Sequence, residues 1–184
     1  MNASVRAALL HDGLLEDLNP GDKNNPSEYR PLWALRTAFH RMQTFPAGRT
    51  INVEQSYTPI SGGSVESMLL VGDRNNAERR RLVRDYCVDS AFETASRALA
   101  RRVGGPEHVQ EGSLAYILTT GANWAGPIGR LHITIDKGDR QNLMSLCAPG
   151  IRRTSPTQFE LNYTNYTPRS DIRVLFLIPT PPEQ

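Results

Sequence analysis

No apolar stretch in this 184-residue chain approaches the roughly 18 residues that a membrane-spanning helix requires. The longest candidate, Ile172 to Pro179, is interrupted by Arg173 and has the length of a strand. The first residues, Met1 to Asp12, hold a short apolar patch but no charged leader, long apolar segment or cleavage motif, so no signal peptide is expected within the chain. An excess of charge is missing too: 21 Lys and Arg stand against 19 Asp and Glu, a formal net charge of +2. That balance argues against nucleic acid as a partner, because phosphate binding draws on a strongly basic face. Cysteine occurs twice, at Cys87 and Cys147, without a Cys-x-x-Cys pair or a histidine at ligand spacing, which argues against a zinc site. The two thiols are either buried and reduced or joined in one long-range disulfide, and the redox compartment decides between these. Absent as well are a Gly-x-Ser-x-Gly elbow, a Walker-type phosphate loop and a Gly-x-Gly-x-x-Gly turn after a strand. No catalytic, cofactor-binding or metal-ligating residue is therefore assigned, and no cofactor is expected.

What is present suits a packed β domain. Hydrophobic residues make up 39% and charged residues 22%, enough for a core and contrary to wholesale disorder. The 14 Gly and 13 Pro favour loop-rich β architecture over a helical bundle. Val5, Leu9, Leu10 and Leu14 recur at helical spacing within residues 1–18, and a Pro/Asn/Gly-rich loop follows to Pro31. From Leu32 the period changes to two. Trp33, Leu35 and Phe39 form one row, and Ile51, Val53 and Tyr57 another beyond the Phe45–Gly48 turn, predicting an antiparallel hairpin with one buried face. A third strand is expected over Val65 to Val71.

Asn76 and Asp89 read as helix caps, and Phe92, Ala95 and Leu99 as the apolar stripe of a helix over Ser90–Arg102 that stops at Gly104. Alternation predicts further strands over 114–120, 130–136, 143–148, 158–163 and 171–178, the last apolar enough to be central and covered on both faces. The expected fold is mainly β (α+β): an antiparallel sandwich-like domain over residues 32–179 with one helical insertion around residues 76–103. Residues 1–31 precede it, and 180–184 form a flexible tail.

Residues 119–129 draw most attention as a site. Gly121, Gly126 and Gly129 lie between two strands, so they offer no helix N-terminus to a phosphate. The loop reads instead as a structural corner. Trp124 is expected to be buried and to plug one end of the core, the glycines and Pro127 to shape the backbone around it, and Asn123 to fasten the turn. Of the four histidines (His11, His40, His108 and His132), His40 and His132 fall in expected strands, but ligation would need two or three more ligands and only Asp136 is near His132. The run Arg79, Arg80, Arg81 and Arg84 is interrupted by Glu78 and Asp85 and reads as a solvated helical face. Asn162-Tyr-Thr164 and Asn165-Tyr-Thr167 match glycosylation acceptors, a pattern that arises often by chance.

As a set, these residues resemble a family. Ala115–Gly129 with Ile135-Asp-Lys-Gly138, together with Trp33–Thr37, Gln43–Gly48, Val53-Glu-x-x-Tyr57-x-Pro59, Tyr86-Cys87, Leu146-Cys147 and Tyr166-Thr-Pro-x-x-Asp171, are similar to the domain of unknown function 4424 family of uncharacterised bacterial exported proteins. The resemblance implies a periplasmic or secreted protein and hence a Cys87–Cys147 disulfide; it carries over no catalytic residue. Family members begin with a signal peptide and an upstream β-rich portion, so this chain is expected to be truncated at its N-terminus, and missing strands would leave an unpaired sheet edge. The function expected is that of a non-enzymatic cell-envelope binding or structural module. Its partner would be another envelope protein or a second copy met through an exposed sheet edge. The alternative is an exported hydrolase assembled near the Asn123–Trp124 loop from Asn123, His132 and Asp136.

Overall fold

The computed structural model describes residues 1–21, 28–34, 40, 42–59, 61–73 and 75–180. The chain forms two compact units, Met1–Gln55 and Ser56–Gln184. In the first, helix α1 (Ala3–His11) opens on Asn2, whose side chain accepts the Ser4 N–H, and ends before Gly13, which adopts φ +65°. This left-handed turn stops the helix short of the spacing that Leu14 would continue. Strand β1 (Leu15–Asp17) then pairs antiparallel with β2 (Tyr29–Pro31). The Arg6 guanidinium lies 5.1 Å from the centre of the Tyr29 ring, and Arg30 pairs with Glu16.

The expected hairpin over residues 32–57 is not found among the described residues. Residues 51–59 carry no strand, and Trp33 is 51% exposed rather than turned into a buried face; Leu35 and Phe39 lie outside the described residues. Alternation alone does not make a strand, because the ladder also needs a partner for its backbone groups. Residues 32–55, expected within the β-rich domain, fall in the first unit. The expected tail over 180–184 lies outside the described residues apart from Thr180.

The second unit begins with β3 (Gly62–Ser64). Its glycines are required by close approach: a Cβ on Gly63 would sit 2.7 Å from the Glu111 carbonyl oxygen. The strand expected at Val65–Val71 is instead a turn. The buried Ser67 hydroxyl accepts the Leu69 N–H at 3.3 Å and donates to Glu111 at 2.7 Å, drawing the chain out of an extended path. The expected helical insertion is two helices, α2 (Ala77–Asp85) and α3 (Ser90–Val103). Asn76 and Asp89 cap them by accepting N–H groups of their first turns, and Gly104, at φ +98°, ends α3.

Strands β4 (Val109–Tyr116), β5 (Ile128–Asp136), β6 (Leu143–Leu146), β7 (Arg152–Arg153), β8 (Gln158–Tyr166) and β9 (Ile172–Pro179) complete the unit. They build two antiparallel sheets, ordered β3-β4-β9-β6 and β5-β8-β7. The protein is thus mainly β in an α+β arrangement. Strand β9 is the centre of the packing. Its Ile172, Val174 and Phe176 join Leu161 of β8 and Leu131, Ile133 and Ile135 of β5 in a core between the sheets. Its Leu175 and Leu177, fully buried on the other face, pack with Leu69, Val88, Val109 and the Leu99–Ala100 stripe of α3. Cys87, between the helices, is bonded to Cys147 after β6, and Ser145 donates to the Tyr86 carbonyl at 2.9 Å beside it.

One carboxylate sits awkwardly in this core. Glu111 on β4 is half-buried; burial pushes its pKa above the ordinary carboxylate value, with Glu78 adding repulsion against the hydrogen bonds from Ser67 and the Met68 N–H. A raised folded-state pKa means that the folded protein holds the proton more tightly than the unfolded chain. Stability then falls as pH rises from the ordinary value of 4.5 through the raised one. Glu111→Gln keeps an acceptor for Ser67 and removes the charge. Its thermal midpoint at neutral pH should exceed that of the wild type, and the decline as pH rises above the ordinary value of 4.5 should flatten in unfolding curves.

Candidate interaction cleft

The connection from β4 to β5 carries the tryptophan loop. Residues Thr119–Asn123 form a 3-10 turn rather than the end of a strand, and β4 stops at Tyr116. The turn is fastened from afar by Asp171, which accepts the Leu118 N–H at 3.0 Å, the Thr119 N–H at 3.1 Å and the Thr119 hydroxyl at 2.9 Å. The Thr119 donors hold the Asp171 carboxyl below its ordinary value, so its contribution to stability is present above about pH 3.8 and is lost as pH falls below it. Asn123, expected to fasten the turn, is exposed and is not the clamp. Asp171 closes the Tyr166-Thr-Pro-x-x-Asp171 motif, the sequence signal from which its clamp role could have been found.

Trp124 does not plug the core. It is 66% exposed, and Tyr116 and Ile117 on the same connection are half or more exposed. The glycines differ from expectation as well: none of Gly121, Gly126 and Gly129 has a positive φ. A Cβ on Gly126 or Gly129 would meet open space, whereas one on Gly121 would come 3.4 Å from the Ile128 side chain and 3.5 Å from Pro168. Gly121 is small because the turn is packed under Ile128 and Pro168, while Gly126, Pro127 and Gly129 lie on the surface side. Backbone relief around a buried indole is therefore not their role.

Below this connection the sandwich is open along one side. A cleft of about 450 Å³ runs between β5 and the β4–β9 pair, floored by Leu114, Ile172, Val174 and Phe176 and walled by Leu131, Ile133 and Ile135. The apolar residues of β5 are only partly buried, in contrast to Leu161 on its neighbour β8, which is 1% exposed. On the other side the chain closes the layers as it crosses from β6 to β7, with Ala148 and Ile151 packed on the same core. Strand β5 pairs with β8 along one edge, and among the described residues no strand pairs with its other edge.

The polar residues bordering the cleft are engaged. His132 Nδ1 lies 2.6 Å from Asn162 Oδ1 on β8, and Nε2 lies 3.1 Å from the Thr134 hydroxyl. Asp136 accepts the Gly138 N–H at 2.8 Å and the Gln158 amide at 3.2 Å, which hold its carboxyl below the ordinary value. His132 and Asp136 share the outer row of β5 but stand four residues apart, about 13 Å along a strand. A histidine and a carboxylate so separated do not form an acid–base pair. Among the described residues no group of three or more His, Cys, Asp and Glu side chains is placed to hold a metal ion. His11 neighbours Asp12, and His108 neighbours Glu107.

Of the arginine run, Arg80, Arg81 and Arg84 are exposed, as expected of a solvated helical face. Arg79 is buried and pairs with Glu93, a departure from the solvated face expected of it. Arg80 donates to the Asn75 carbonyl, and Arg81 and Arg84 flank Asp85 at 3.3 and 3.0 Å. Of the glycosylation-like triplets, Asn162 holds His132 and Asn165 adopts φ 50° in β8. Residue-level reading passed over Lys137. The residue is 9% exposed, and its ammonium donates to the Arg140 carbonyl at 2.7 Å and to that of Asn142, tying down the β5–β6 connection; burial, then Arg153, lowers its pKa.

Two antiparallel sheets under a helical layer, one disulfide and an apolar cleft beside an unpaired strand define a disulfide-bonded α+β protein. The chain belongs to the family described as Domain of unknown function (DUF4424), whose sequence model matches residues 1–175. That match takes in the first 31 residues, which the sequence resemblance did not cover. No curated protein and no solved structure matches the chain.

Proposed function

We propose that the protein is a non-enzymatic binding or structural module of the bacterial cell envelope, acting through the cleft and the free edge of β5. The observation that carries this reading is the pairing of an apolar, about 450 Å³ cleft with a nine-residue strand whose outer edge has no ladder partner among the described residues. Such an edge accepts an added strand through its backbone groups while the neighbouring hydrophobic slot receives alternate side chains. A periplasmic or secreted setting is supported by the disulfide, since its bond persists in oxidising compartments. No described helix is long and apolar enough to cross a membrane.

The rival hydrolase would draw on His132, the one histidine at the cleft. Purified protein offered ester, peptide, glycoside and phosphoester substrates should show no turnover above background. Turnover that disappears in His132→Ala, with folding intact by circular dichroism, would overturn the module reading in favour of the hydrolase.

A further inference from the structure

We infer that the occupant of the β5 edge is a second copy of this chain, joined antiparallel about a two-fold axis through Ile133. This rests on the cleft and edge being an interaction site and goes on to name what fills it. Strand β5 pairs eight of its nine residues with β8 in one constant register, contains no proline and turns no charge inward. Proteins ordinarily guard an exposed edge with such devices. Here proline and inward charge are absent, and the charges that the outer row does carry, Arg130 and Asp136, are of opposite sign, so the sequence along the edge is complementary to itself.

In an antiparallel pair centred on Ile133, Arg130 faces Asp136 of the other copy, Leu131 faces Ile135, His132 faces Thr134, and Ile133 faces its own equivalent. Every opposed pair matches in character, and both inner rows stay on the core side. Centring on His132 would set Asp136 against Ile128 and imidazole against imidazole; centring on Thr134 would leave Arg130 opposite Gly138. A register between these would turn the apolar row of one copy to the polar side of the other. Only the Ile133 register pairs both charges.

Arg130 is exposed and makes no ion pair or hydrogen bond among the described residues. Asp136 accepts hydrogen bonds from the Gly138 N–H, the Gln158 amide and the Thr157 side chain, and a carboxylate has about four acceptor positions, so it retains one for a guanidinium. Pairing would join the two three-stranded sheets into one continuous sheet and set the half-buried Leu131, Ile133 and Ile135 of each copy beside those of the other. Cross-strand pairs of this kind, rather than the edge alone, select the partner.

The test is sedimentation of the full chain between about 1 µM and about 1 mM, where a dimer of moderate affinity is visible. Wild type should pass from monomer to dimer. Arg130→Asp and Asp136→Arg should each weaken the dimer about tenfold or more by opposing like charges, and the double exchange should restore it. Circular dichroism of each variant separates loss of pairing from loss of folding. Because both native cysteines are bonded, Ile133→Cys adds a lone thiol. The axis places it about 5 Å from its equivalent, within bridging distance, so a covalent dimer should form on oxidation. Thr134→Cys, offset to about 8 Å, should not cross-link. A wild-type monomer throughout the range overturns the inference, even if another protein binds the edge. So does a dimer indifferent to the single charge changes, or cross-linking as efficient at 134 as at 133. These outcomes are independent of the substrate assay, so the failure of one reading is distinguishable from that of the other.

Discussion

Replacing Cys87 and Cys147 with serine should lower the stability of the second unit by about 4 kcal/mol, the chain-entropy value for a loop of this length. The bond spans a sequence separation of 60, tying the segment between α2 and α3 to the segment after β6. In the unfolded chain these points are free to separate, and restraining them removes entropy that folding would otherwise lose. The bond has local work as well. Cys87 adopts φ 51°, a left-handed conformation that costs a side-chain-bearing residue about 1–2 kcal/mol. The disulfide and the Ser145 hydrogen bond to the neighbouring carbonyl hold it there. For a unit of this size the expected loss corresponds to a thermal midpoint lowered by roughly 10–15 °C. Unfolding of the double variant beside the wild type, with and without reductant, checks this. Reductant should shift the wild type toward the variant and leave the variant unmoved, and a shift of only a degree or two would show that packing alone holds the α2–α3 corner.

Leu175→Ala should cost about 3 kcal/mol, within the range for fully buried leucines. Leu175 sits on β9 against Leu69 and Val88, with Leu82, Val83, Tyr86 and Phe92 around it, where helices and sheet meet. The opposite row of β9 is committed to the core between the sheets, so the strand has no free direction in which to relax and fill the space. Denaturant titration should show a lower midpoint with an unchanged slope. Leu175→Met, which preserves volume, should cost less than about 1.5 kcal/mol. Equal losses for the two variants would mean that the hole is not what matters at this position.

Much of this packing could be read beforehand because it is local. The caps Asn76 and Asp89, the Phe92–Leu99 stripe and Gly104 each act within a turn or two of their own position, and α3 follows them closely. Alternation along Leu131–Ile135 and Phe159–Tyr163 marks the inner rows of β5 and β8, and the apolar run near the C-terminus marks the doubly covered β9. The failures are non-local. Thr119 and Thr120 continue a strand-like pattern, yet Asp171, more than fifty positions away, bends the chain into a turn. The strand expected from residue 114 begins at Val109, where the ladder to β9 extends it and Ser67 donates to Glu111. The glycines around Trp124 suggest a corner closed over a buried ring, yet the residue is 66% exposed, because nothing in the loop itself fixes what packs against it. Of the site, the edge strand and its inner row were visible, but the cleft was not, because it depends on which strands become neighbours across the two layers.

The position of β9 also sets an order of events. Strands β4 and β6 find their common neighbour only in a segment that follows both, with Val109 opposite Pro179 and Leu143 opposite Leu177. The β5–β8 pair, by contrast, is complete once Tyr166 is available. As the chain lengthens, the three-stranded sheet can form early, while β4, β6 and the helices wait without a floor to pack on. Long-range pairings of this kind are the slow steps of folding. Until β9 is in place, Leu131, Ile133 and Ile135 of β5 have Leu161 beside them but lack the Ile172, Val174 and Phe176 side chains that complete their core.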